Sequence, residues 1–152
     1  MDSMRPPAIG DVSAIKALRS VIFTGIEGAA AVYPKGFLRK RLASAGGWLG
    51  PLLTVHASDS LPNTILYIAI TPEDFRIFGR AMFSLPFEIG RWKKRSYHAS
   101  IVDSGLRLKL DLELEKLGRI RVMTVGLRMF SGPARKVFEL VVQSAAGPVM
   151  PA

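Results

Sequence analysis

The 152-residue chain contains no cysteine. Disulfides, thiolate zinc sites, iron–sulfur clusters and cysteine nucleophiles are therefore excluded. Histidine is scarce as well, with only His56 and His98. The two have no ligand-like spacing, and a metal site would need them to converge with a carboxylate such as Asp59 or Asp103. The ordinary role for each is a solvent-facing or hydrogen-bonded strand position. No Gly-x-Ser-x-Gly elbow is present, and Gly46, Gly47 and Gly50 lack the spacing and the following Lys-Ser or Lys-Thr of a phosphate loop. Glu113 and Glu115 share a strand face with Arg107 and Lys109, which describes a solvated charged face more readily than a catalytic pair. No enzyme activity and no cofactor are expected.

Long hydrophobic runs are also missing. The longest apolar stretch, Val21 to Tyr33, is interrupted by Thr24, Glu27 and two glycines, short of the roughly 20 apolar residues a bilayer span needs. Asp2 and Asp11 fit a secretory signal poorly. The expected location is the cytoplasm, with peripheral membrane association compatible and no transmembrane span.

What is present is a folded composition with a basic bias. Apolar residues make up 49% and charged residues 22%, which suits one globular domain. A mean hydropathy of +0.25 leaves room for an apolar surface used against a partner. The formal charge is +9. Seven cations face three acids in residues 1–50 and fourteen face nine in the remainder, so the excess is spread along the chain. Such a balance favours anionic partners without choosing among lipid, nucleic acid and acidic protein.

Along the chain, Asp11 reads as an N-cap, with Val12, Ile15, Leu18 and Ile22 at helical spacing behind it. This predicts a helix ending near Thr24. A second short helix is expected over Lys35 to Ser44, and Gly46 to Pro51 marks the boundary between an N-terminal helical extension (1–49) and the main domain (50–146). Residues 147–152 read as a tail. Strands are predicted over Leu52–Ala57, Ile65–Thr71, Phe75–Arg80, Phe87–Trp92, Arg95–Val102, Leu106–Glu115 and Arg119–Val125. Pro72-Glu73-Asp74 and Asp103-Ser104-Gly105 supply turns. In Leu106 to Glu115 five leucines alternate with five charged residues, so one face is buried and the other wet. A final helix begins at Ser131, with Pro133 in its first turn, and stops at Gly147-Pro148. The class is mainly β with a C-terminal helix (α+β).

The stretch Ile65-Leu66-Tyr67-Ile68-Ala69-Ile70-Thr71, its turn Pro72-Glu73-Asp74 and the following Phe75-Arg76-Ile77-Phe78 resemble the early hairpin of bacterial pleckstrin-homology-like domains. The order of the later strands and the closing helix is similar, over roughly residues 50 to 145. The resemblance implies a partly open antiparallel barrel of about seven strands, closed by one helix, serving as a binding module.

Two basic–aromatic clusters are the candidate sites for an anionic ligand. In the first, Arg91, Lys93, Lys94 and Arg95 surround Trp92, an aromatic able to enter a membrane interface or stack on a base. In the second, Arg39, Lys40 and Arg41 lie with Lys35 beside Phe37, Leu38 and Trp48, as in a basic segment resting on an anionic surface. The bland alternatives are a solvated strand edge and a helix packed on the barrel. The leading expectation is a non-catalytic module engaging an anionic membrane or an acidic protein. Nucleic-acid binding comes second, disfavoured by the acids of the charged strand. A small-ligand carrier or enzyme using the barrel interior comes third and requires a sizeable polar cavity.

Overall fold

The computed structural model describes residues 7–34, 65–79 and 85–150. Its elements are β1 (Ile9–Gly10), α1 (Val12–Leu18), β2 (Gly28–Pro34), β3 (Leu66–Ile70), β4 (Asp74–Gly79), β5 (Phe87–Lys93), β6 (His98–Val102), β7 (Lys109–Leu114), β8 (Gly118–Thr124) and α2 (Gly132–Gln143). The eight described strands form one sheet in the order β5-β4-β3-β2-β8-β7-β6, with β1 added in parallel to β2. All other strand pairings are antiparallel.

The edge strands β5 and β6 are neighbours in sequence, joined by the four residues 94–97. A connection that short forces the sheet to curl until its two ends meet at a corner. The sheet is nevertheless open, because β5 and β6 are not paired with each other. The gap is bridged by side chains. The Trp92 indole donates to the Glu115 carbonyl at 3.1 Å, and Phe75 packs on both Trp92 and Tyr97, with centroids 6.0 and 5.2 Å apart.

Sequence pattern explains which faces are covered. Leu108, Leu110, Leu112 and Leu114 point into the core, as the alternation predicts, while Lys109, Asp111 and Glu113 stay partly solvated. Leu106 departs from the pattern: β7 begins at Lys109, and Leu106 sits in the preceding loop. Every residue of β3 and β4 is buried, since both of their faces are covered. The inner face meets α2 through Val137, Phe138 and Val141. The outer face meets α1, where Ala14, Ile15 and Leu18 pack with Ala29, Tyr67, Ala69 and Phe78.

This arrangement corrects the expected N-terminal extension. Residues 9–34 supply two strands and a packed helix, and β2 lies in the middle of the sheet. Its sequence, Gly-Ala-Ala-Ala-Val-Tyr-Pro, is poor in β-branched residues, yet small side chains let helices approach from both sides. Gly10 shows how closely. At φ +119° it occupies a left-handed region, and a Cβ there would overlap the Ala29 carbonyl and Val137. α1 is capped by Asp11, which accepts from Ser13 N at 3.1 Å. It ends at Leu18, short of Thr24, because the chain must turn to enter β2.

Ser131 and Pro133 mark the start of α2 as expected, but the Ser131 hydroxyl does not cap it. The hydroxyl instead donates to the Arg128 carbonyl at 2.6 Å, closing a short 3-10 turn over Arg128–Phe130. Nor is the segment after α2 a loose tail. Ala146 N donates to Tyr97 O and Ala99 N to Gly147 O, at 2.7 and 3.1 Å. These bonds cover the exposed edge of β6 with the chain's own backbone. The predicted strand Leu52–Ala57, the helix Lys35–Ser44 and the Gly46–Pro51 boundary lie outside the described residues.

Candidate functional site

The cluster Arg91 to Arg95 lies on β5 and the turn into β6. Period-2 geometry turns Arg91 and Lys93 outward and Trp92 inward. Trp92 is only 8% exposed, so it is a core residue and not an interfacial aromatic. Most of its charged neighbours are engaged within the fold. Arg91 forms a two-pronged contact with Glu88, at 3.0 and 2.7 Å. Lys94 meets Glu27 at 2.8 Å. Arg95 adopts φ +68°, its backbone N–H donates to Ser144 O, and its guanidinium donates to Ala145 O at 2.9 Å. It pins the β5–β6 turn to the end of α2. Lys93 is exposed. The structure therefore keeps these residues together but commits Trp92 and Arg95 to structural roles. Arg39, Lys40 and Arg41 lie outside the described residues.

A buried polar network runs beside the cluster. Arg76 donates to Asp74 at 2.7 Å, both side chains being less than one-tenth exposed. The Thr71 hydroxyl donates to the same carboxylate, also at 2.7 Å, and accepts from the backbone N–H of Glu73 and Asp74. Burial pushes the Asp74 carboxyl upward, but the bonds from Arg76 and Thr71 outweigh it and hold the group below the usual carboxylate range. This network fixes the β3–β4 turn.

The charged outer face of β7 and β8 is internally matched. Arg121 grips Asp111 at 2.5 and 2.8 Å, and Arg119 lies 4.0 Å from Glu113. His98 stands opposite Glu113 in the β6–β7 register, and its Nδ1 is buried without a hydrogen-bond partner among the described residues. His56 lies outside them. No cluster of three or more metal-ligating side chains occurs among the described residues. No helix there is long and apolar enough to cross a membrane.

A different surface concentrates exposed apolar and cationic groups. The β6–β7 loop and the connection from β8 to α2 meet where Arg128 N donates to Leu106 O at 2.7 Å. Around that bond Leu106, Met129 and Phe130 are 79, 79 and 76% exposed. Val125 and Leu127 are exposed beside them. Both loops are braced at their bases by cations bonded to backbone. Arg107 donates to the carbonyls of Thr124 and Val125 and lies over the Tyr33 ring, 5.4 Å from its centroid. Lys109 reaches Ser104 O at 2.9 Å. Arg128 and Arg135 converge on Asp103, at 3.4 and 2.8 Å. The Arg135 hydrogen bond is the main reason the Asp103 carboxyl sits below its ordinary range. Sequence reasoning missed this surface; the available signal was three large apolar residues, Leu127, Met129 and Phe130, around Arg128 in a stretch with neither helical nor strand periodicity.

A cleft of about 410 Å³ opens elsewhere, between Pro7, Ile9, Thr24–Glu27, Pro72 and Leu140. Comparison with known protein families, curated proteins and solved structures finds no match to this chain.

Proposed function

We propose that this protein is a non-catalytic binding module of pleckstrin-homology-like type that engages an anionic membrane surface. Three features favour that kind of module: seven antiparallel strands ordered 5-4-3-2-8-7-6, the meeting of the two sheet ends at a short turn, and a helix after the last strand. Fold likeness alone does not carry function.

The observation that carries the reading is the imbalance of charge where the two loops meet. Arg107, Lys109, Arg128 and Arg135 all bond into these two loops, and the carboxylate there is that of Asp103, shared by Arg128 and Arg135. Each cation near an anionic bilayer contributes on the order of 1 kcal/mol. A nucleic-acid surface is less well served, because Asp111 and Glu113 occupy the broad outer face of β7. An interior ligand site is disfavoured because leucines of β7 and Phe138 fill the inner face.

The test is co-sedimentation with vesicles containing a quarter phosphatidylserine, against neutral phosphatidylcholine vesicles. Preferential retention by the anionic vesicles supports the reading, and equal retention by both removes it.

A further inference from the structure

We infer that the tip formed by Leu106, Met129 and Phe130 is a hydrophobic wedge that enters the hydrocarbon boundary of an anionic bilayer. This inference rests on the membrane reading above and names the surface and the depth of contact. Three large apolar side chains about four-fifths exposed are unusual at one spot on a folded domain. The cations beside them, Arg107, Lys109, Arg128 and Arg135, complement an anionic bilayer.

The loops are also braced. Arg107 and Lys109 bond to the loop backbone, and Arg128 joins the two loops through Leu106 O and Asp103 O. The clamping cations belong to the same two loops and their flanks as the apolar side chains, where they can meet lipid phosphates once the tip is inserted. Exposed apolar side chains and cations in the same two loops together select an anionic bilayer.

Because the chain has no cysteine, a single Met129→Cys substitution gives a unique site for the environment-sensitive fluorophore NBD. The labelled full-length protein is titrated with phosphatidylserine-containing and with neutral vesicles. Binding of unlabelled wild type and a Met129→Ser/Phe130→Ser double variant is measured by co-sedimentation. Both altered side chains are solvent-exposed, and circular dichroism checks that the fold is kept.

The expected result is a blue shift of NBD emission on anionic vesicles, quenching by a shallow lipid-borne nitroxide, and at least about tenfold weaker binding by the double variant, since burial of each side chain is lost. Wild-type binding to anionic vesicles with no shift, and with the double variant unchanged, overturns the wedge but leaves the membrane reading standing. No binding of wild type to anionic vesicles overturns both.

Discussion

Asp74 and Arg76 are the residues whose chemistry is most tightly fixed. Removing the carboxylate leaves a buried guanidinium with Glu88 as its other acidic neighbour, 3.9 Å away. Asp74→Ala is expected to cost about 3–5 kcal/mol of unfolding free energy, the usual penalty for breaking a buried pair from one side. Urea denaturation at neutral pH measures it. The same carboxyl gives a pH signature. Its folded pKa lies below the unfolded one, so its contribution is complete above the unfolded value of about 3.9. The contribution disappears as pH falls through the folded value. Stability should therefore decline on acidification below about pH 4, and Asp74→Asn should decline less steeply over that interval.

Asp103 makes the opposite case, because it restrains two arginines at the exposed loops without anchoring the core. Asp103→Asn releases Arg128 and Arg135 from their carboxylate partner and raises the net charge by one. On the membrane reading, affinity for anionic vesicles should rise roughly threefold to fivefold, with no comparable change on neutral ones. A loss of affinity in co-sedimentation would show that the carboxylate positions the loops for binding.

At the level of elements, the turn between β5 and β6 shows how the candidate cluster divides between structure and surface. Arg95 holds a left-handed backbone conformation while its guanidinium ties the turn to Ala145. Arg95→Ala loses the tie and keeps the strain, so a loss of about 1–2 kcal/mol is expected. Arg95→Gly loses the same tie but relieves the backbone and should be less destabilising than Arg95→Ala. Thermal unfolding of the two variants gives the order directly; the reverse order would contradict a strained structural turn.

The same elements show what could be read from the sequence. β3 and β7 were legible because their apolar residues are continuous in the one and strictly alternating in the other, β4 and β8 because turn residues return the chain beside those strands, and α2 because Pro133 and Gly147 bracket its apolar face. β2 was not legible. Its alanines carry no strand signature, and their value lies in letting α1 and α2 approach, which only the assembled sheet reveals. Trp92 was misread because composition places it among cations while pleating turns it inward. Leu106 was misread because its alternation continues past the point where pairing stops. The tip had no period to detect, since loop residues obey none.

At the scale of the whole molecule, long-range charge and short-range burial should separate experimentally. A net charge of +9 acts over a Debye length of about 10 Å at 0.1 M salt, shrinking to about 3 Å at 1 M. Wild-type affinity for anionic vesicles is therefore expected to fall steeply, by on the order of tenfold, between 0.1 and 0.5 M sodium chloride. Apolar burial at the tip is not screened by monovalent salt in this range. The Met129→Ser/Phe130→Ser variant should thus be weaker at every salt concentration by a constant factor, its line parallel to wild type when log affinity is plotted against log salt. Converging lines would mean that the apolar side chains act through the charges, for example by setting the depth of the basic rim. Parallel lines assign charge to approach and rim contact, and the three apolar side chains to holding the protein in the bilayer.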